Sequence, residues 1–419
     1  MPRKLLVLAY YFPPMGLSGV QRASKFVKYL PDHGWQPTVV TVEPGGYFAF
    51  DQHLLRELTE REIPIERTRS LDPTRLFRPS RTIALPSEGK RKRLASLSQW
   101  VFVPDNKVGW IPFALRAAGR LLEEGSFDAI LSTAPPYSSH VVAARLAKRY
   151  RLPLVLDYRD DWIGNPRHIY PTPVHRALHR RLEQYAGRAA DAVVAINEPI
   201  ARAIGERLGV PTTVVPQGFD VEDYPARSER SDNKLRFVYA GVFYDLQTPD
   251  AFLRGLARLL GERPGLREHI EARFVGLFPD RGKRLVHDLG LEDVVHEVPY
   301  AAHTEAMAHV GQSDVPWLVV GHGPGQEQIS TGKLYAYIGA GKPILGLVPP
   351  GVANEALSAY GASWTAHPDD PDAVDEAFRD IVRCWEEGQW PAPFEPFRAA
   401  HDRSELAGTL AAVLDRISS

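Results

Sequence analysis

The sequence predicts an α/β fold of two Rossmann-like domains facing a central cleft, and three observations carry the prediction. Short apolar runs alternate with helix-length stretches almost from end to end, the pattern of a parallel sheet covered by helices on both faces. The 419 residues exceed what one ordinary core accommodates. A stretch dense in turn residues and charge, VVPQGFDVEDYPARSERSDNKLRF (214–237), separates two series of such runs.

The first series opens with Leu5–Ala9 (LLVLA), a Gly/Pro loop, and a segment in which Val20, Ala23, Val27 and Leu30 share one helical face. Strands are expected next at Pro37–Val42, Ala129–Ser132, Leu152–Asp157, Ala192–Ile196 and Thr212–Val215, with no clear assignment over residues 45–110. The second series gives strands at Arg236–Ala240, Ala272–Val275, Val294–His296, Val315–Val320 and Pro343–Leu347. A boundary near Phe219 divides the chain into a first domain over residues 1–218 and a second from residue 219. Ligands of open parallel sheets bind beyond the carboxyl ends of the strands, which makes the facing ends the expected cleft.

Bulk properties narrow the function. Fifty Lys+Arg balance 51 Asp+Glu, so no overall field points to nucleic acid as a partner. The single cysteine, Cys384, forms no internal disulfide and has no neighbours at metal-ligand spacing. The opening MPRKLLVLAYYFPP carries too short an apolar run for a signal-peptide core, and no run reaches the ~20 residues of a spanning helix. A cytoplasmic location is expected, extending to the inner face of the membrane if basic segments make peripheral contact. Lys90–Arg93 and the stretch around Arg176, Arg180 and Arg181 are the basic segments concerned, and two solvated faces explain them equally well.

Four stretches hold candidate chemistry. YYFPPMGLSGVQR (10–22) places Gly16 and Gly19 between a strand and a helix start, where backbone freedom and unpaired amides suit an anion. LPLVLDYRDDWIGNP (152–166) ends a strand in Asp157, Arg159, Asp160, Asp161 and Trp162. There Arg159 pairs with one carboxylate and leaves another to take a proton or hold a sugar hydroxyl, unless the pair is purely structural. Upstream, STAPPYSSH (132–140) starts a helix that carries His140. In the second domain, YAGVFYDLQTPD (239–250) sets Gly241 at a strand end with Gln247 in the loop after it. Finally, in ISTGKLYAYIGAGKP (329–343), Ser330 or Thr331 caps a helix with Gly332 and Lys333 in its first turn. Gly341 and Pro343 end that helix. Its front suits a diphosphate, and an ordinary capped helix accounts for the same local pattern.

Taken together, these stretches resemble GT-B glycosyltransferases, in particular the retaining group called family 4 and its bacterial surface-polysaccharide members. The first segment, PDNKVGW (104–110), STAPPYSSH, LVLDYRDDW, VVPQGFD and GKLYAYIGAGKPIL match in the same order. The resemblance implies a hexosyl- or related transfer from a nucleotide-sugar, UDP- or GDP-linked, to a saccharide or lipid-linked acceptor. It implies no metal and no other cofactor. It further implies a second domain over 219–398 and a terminal helix in 399–419 that crosses back to the first domain. Carried over, Gly16, Gly19, Gly241, Gln247, Ser330, Thr331, Gly332, Lys333 and Tyr335 bind the donor. Asp160, Arg159 and Lys333 serve catalysis, and Asp157, His140 and Trp162 meet the acceptor.

The chain also departs from the family pattern. Ala336 stands seven residues before Pro343, where the family has a glutamate that grips the donor ribose. Its partner glutamate's place is held by Gln328, with Glu327 one residue away. Gln217 replaces the asparagine usual before Gly218. Losing one charge-assisted hydrogen bond costs about 1.5–3 kcal/mol, which weakens a site without abolishing it. Tyr335, Tyr337 and Glu355 are the substitutes within reach in sequence. Two further readings stay open: a degenerate GT-B protein that binds a partner or glycan without turnover, and a nucleotide-sugar epimerase.

Overall fold

The computed structural model describes residues 2–16, 18–45, 50–76, 97–165, 168–225, 232–243, 246–299 and 301–418. The basic run 90–93 lies outside the described residues. The chain divides into two compact units, residues 1–216 with 403–419, and residues 217–402.

The first unit is built on a seven-stranded parallel sheet. Its strands are β1 (Arg3–Leu8), β2 (Trp35–Val42), β3 (Ile65–Thr68), β4 (Ala129–Ala134), β5 (Leu154–Tyr158), β6 (Ala192–Ala195) and β7 (Thr212–Val214). They lie in the order β3-β2-β1-β4-β5-β6-β7. Sheet faces alternate along each strand. Thus Leu6, Leu8 and Tyr10 enter a core with Trp110, Tyr137 and Trp162. Leu5, Val7 and Ala9 enter a second core with Val27, Trp35 and Leu410. Both faces are therefore dry, which is why β1 reads as an uninterrupted apolar run. The helix Arg403–Ile417 fills the second core with Leu406, Leu410, Val413 and Leu414. Asp415 on that helix accepts from the indole of Trp35 at 3.0 Å.

The second unit repeats the plan with six parallel strands, β8 (Leu235–Val242), β9 (Ile270–Leu277), β10 (Val295–Val298), β11 (Val315–Val319), β12 (Ile344–Leu347) and β13 (Ser363–Ala366). Their order is β10-β9-β8-β11-β12-β13. Along β8, Phe237 and Tyr239 join one core with Phe252 and Trp317. Val238 and Ala240 join another with Leu334 and Tyr337. In each sheet the order reverses beside the first strand of its unit, β1 or β8, and such a switch point opens a crevice at the carboxyl ends. Among the described residues no helix is long and apolar enough to cross a membrane.

Candidate active site

In the first unit the titratable side chains gather where β1, β4 and β5 end. Asp157 of β5 is fully buried. Its Oδ1 accepts from Arg22 Nη2 at 2.8 Å and Nε at 3.0 Å, and its Oδ2 accepts from Thr133 Oγ1 at 2.9 Å. Arg22 also donates from Nη1 to the Pro216 carbonyl at 2.8 Å. Burial on this scale is tolerable because the fork geometry satisfies both ions.

The pairing of Asp157 with Arg159 is thereby corrected. Arg159 is buried and donates to the carbonyls of Gly19, Ala134 and Pro135. It clamps the glycine loop to the turn after β4. Gly19 lies in the first turn of the helix Ser18–Tyr29, where an added Cβ would come within 2.9 Å of Arg159 Nη1. Buried Gly16 precedes that helix. Desolvation lowers the Arg159 pKa, yet a guanidinium stays charged throughout the working range.

The other members of the Asp-rich cluster divide in two. Asp161 pairs with Arg207, which also holds Glu183 at 3.0 Å. Asp160 is only half-buried, and its carboxylate makes no side-chain hydrogen bond among the described residues. Asp160 is thus the carboxylate of this loop left to act on something else.

His140 and Trp162, expected at the acceptor, are both fully enclosed. His140 Nδ1 shares a hydrogen bond with Ser132 Oγ at 2.9 Å, while its Nε2 is buried without a partner among the described residues. Desolvation, aided by the Arg159 charge, pushes its pKa down to about 3, so the ring stays neutral. Trp162 stacks on Tyr137 with ring centroids 4.5 Å apart and donates to His179 Nδ1 at 3.0 Å. Asp157, His140 and Trp162 are enclosed in the structure and hold the loop that carries Asp160.

In the second unit the helix Gly332–Gly339 begins beside the end of β8. Thr331 caps it, its hydroxyl accepting from the Lys333 amide at 3.4 Å. Lys333 folds back over the strand: its Nζ donates to the Val242 carbonyl at 2.9 Å and lies 5.1 Å from the Tyr239 ring centroid. Gly241 makes room for this side chain, since a Cβ there would come within 2.6 Å of Lys333 Cε. Its φ of +126° is likewise one that a side chain resists. Burial lowers the Lys333 pKa to about 8, so the ammonium is charged at neutral pH at a desolvation cost that a nearby anion would offset.

The remaining donor-side residues lie on the same helix start and in the loop after β8. Ser330 Oγ donates to Tyr335 Oη at 3.3 Å, and Tyr335 stacks on His401 at 5.1 Å. Tyr337 accepts the Ala240 amide at 2.9 Å beneath the strand end. Both tyrosines are thus committed to packing, while Glu355 and Glu327 are exposed. Ala336 is half-buried, with its carbonyl taken by Tyr224 Oη at 2.5 Å. Gln247 is buried, and its Oε1 has no partner among the described residues. An orphaned acceptor of this kind calls for a donor from water or ligand.

Among the described residues, a group of metal-ligand composition lies wholly within the second unit: one ligand atom each from His322, His367 and Asp369 lies within 4.8 Å of the others. His367 Nδ1 accepts the Asp369 amide at 3.2 Å. That hydrogen bond occupies the Nδ1 lone pair of the His367 ring.

Two supports were not legible in the sequence. Arg22 meets a partner 135 residues away, and no local signal announces such a pair. Asp105, within PDNKVGW, accepts from the amide and hydroxyl of Ser138 at 2.9 and 2.8 Å and so caps the helix Ser138–Tyr150.

The two sheets with their carboxyl-end loops define a GT-B fold protein. Over 99% of this chain and 98% of the other, its fold matches sucrose-phosphate synthase from Thermosynechococcus elongatus, with a TM-score of 0.64 at 13% identity. Anabaena HepE in complex with UDP-glucose matches over 99% and 97%, with a TM-score of 0.57 at 18% identity. The family model described as Glycosyltransferase Family 4 matches residues 19–223 of this chain. The D-inositol 3-phosphate glycosyltransferase of Kineococcus radiotolerans is 29% identical over 164 residues, 35% of this chain and 37% of that protein. The same-named protein of Geodermatophilus obscurus is 28% identical over 152 residues, 32% and 34% of the two chains. Each match thus spans little more than a third of the curated relative's length.

Proposed function

We propose that this chain is a retaining, metal-independent glycosyltransferase that moves a sugar from a nucleotide-sugar to a saccharide or lipid-linked acceptor. The observation that carries the reading is the Lys333 cradle: a desolvated ammonium beside a capped helix start, over a glycine that admits it. Such a cation stabilises the charge that develops on a departing diphosphate, and it needs no metal to do so. Ser330, Thr331, Gly332, Gly241, Gln247 and Tyr335 complete the donor side. In the proposed step the bond from the anomeric carbon to the diphosphate oxygen breaks and the acceptor oxygen bonds to the same face. The acceptor proton passes to the leaving diphosphate.

On the first unit we assign the acceptor to the neighbourhood of Asp160, with Arg159, Gly16 and Gly19 shaping the loops around it. That HepE was solved with UDP-glucose makes a UDP-sugar the first donor to try, with GDP-sugars next. Action on a lipid-linked acceptor would put the enzyme in the cytoplasm at the inner membrane face.

Ala336 favours the second reading, a GT-B protein that binds without turnover, because no side chain of the helix Gly332–Gly339 supplies a carboxylate to a ribose. Calorimetry against UDP, GDP, ADP, TDP and CMP, without and with metal, separates the two. Saturable binding of one nucleotide, lost in Lys333→Met while the thermal midpoint holds, is the expected result. No binding by the folded protein would sink the transferase reading.

A further inference from the structure

Eleven large apolar side chains are exposed among the described residues, and six of them fall on two touching segments of the first unit. Leu97, Trp100 and Val101 project from the helical residues 97–101. Ile169, Val174 and Leu178 belong to the second segment, which includes the start of the helix Pro173–Gly187. Trp100 is 54% exposed, and Val101 and Val174 are each 66% exposed. The segments are joined by polar contacts. Gln99 Oε1 accepts the Ile169 amide at 2.9 Å, and the His175 ring lies 5.9 Å from Trp100 with its Nε2 3.2 Å from the Trp100 carbonyl. The patch is therefore fixed in place rather than assembled by chance, and a cluster of this kind marks an interaction surface.

Charge identifies the occupant. The chain as a whole is nearly neutral, but the exposed face of the helix Pro173–Gly187 is not. Arg176, Arg180 and Arg181 are exposed and have no ion-pair partner among the described residues. The helix's single carboxylate, Glu183, is buried against Arg207. Residues 97–101 carry no charge. Unopposed arginines beside a tryptophan and aliphatic side chains match an anionic bilayer: phosphates for the guanidinium groups, and the headgroup–acyl boundary for the indole and its neighbours.

We propose that this face docks the first unit on an anionic lipid surface, with Trp100, Val101, Val174 and Leu178 entering the headgroup layer. Its role in bringing the protein to a lipid-linked acceptor rests on the transferase reading; the docking itself does not.

The test is flotation of the full chain with phosphatidylcholine vesicles, with and without phosphatidylglycerol. The wild type should float only with the anionic lipid. Arg176→Gln/Arg180→Gln/Arg181→Gln should lower the partition coefficient about 100-fold. Trp100→Ser/Val101→Ser should lower it by about tenfold or more and remove the blue shift of tryptophan emission on binding. All five side chains substituted in the two sets are surface groups, so the fold survives and thermal midpoints serve as the control. Flotation of both variants like the wild type would overturn the proposal. So would a dimer in sedimentation that Trp100→Ser/Val101→Ser splits, since that result assigns the face to a second copy of the chain. Nucleotide calorimetry on the same samples keeps the two ideas apart. Binding of nucleotide without flotation sinks the docking alone, and flotation without nucleotide binding sinks the transferase reading alone.

Discussion

Lys333 reaches from the start of the helix Gly332–Gly339 to the Val242 carbonyl at the end of β8. Its place after Thr331 and Gly332 in the sequence identified a cation at a helix start. The fold adds what spacing could not: the turn back over Gly241 and the burial that lowers its pKa to about 8. The consequence for pH follows in sign. Between about pH 8 and 10.5 the unfolded lysine holds its proton and the folded one does not, so the free protein gains stability as pH rises through that window. A bound diphosphate reverses the preference, because it favours the ammonium and makes binding take up a proton above pH 8. Nucleotide affinity should therefore fall by up to about tenfold per pH unit above 8. Calorimetry in buffers of different ionisation enthalpy would register the proton, and Lys333→Met should remove both effects. A pH-independent affinity in the wild type would detach Lys333 from the diphosphate.

At the scale of elements, every strand expected from an apolar run is present, because central strands of a doubly covered sheet must be apolar on both sides. The two strands that were missed are sheet edges. β3 (IERT) and β13 (SWTA) are mostly half-buried, and their mixed sequences lack the period that marks a central strand. The long-range ties between elements were equally silent. Arg22 fastens the helix Ser18–Tyr29 to β5 through Asp157, and sequence spacing alone had suggested Arg159 for that partnership. Replacing Arg22 by Met leaves Asp157 charged and buried with only Thr133 to hold it. That should cost about 3–5 kcal/mol, read as a lowered midpoint in urea. Adding Asp157→Asn should recover part of the loss, and a neutral Arg22→Met would show that the pair contributes little.

For the whole molecule the decisive fact is that the first unit is discontinuous in sequence. Residues 403–419 return to it and bury Leu406, Leu410, Val413 and Leu414 in its second core. At ~1.5–3 kcal/mol for each such side chain, this contribution is comparable to the ~5–15 kcal/mol that holds a typical domain together. Residues 1–216 alone should therefore be unfolded or molten by near-UV circular dichroism. Residues 217–402, whose two cores draw on no residue outside that range, should fold cooperatively. A cooperative melt from 1–216 alone would refute this account of the terminal helix.

The second unit begins and ends at the same place: the Phe219 amide donates to the His401 carbonyl at 3.1 Å, and Phe219 bridges to Asp402. Its two ends are clasped like the mouth of a purse, which makes 217–402 a cassette set into a host domain. Recombination could exchange such a cassette through two nearby joints without cutting either hydrophobic core. On the reading proposed above, a lineage could thus change the nucleotide-sugar it uses while inheriting its acceptor side unaltered.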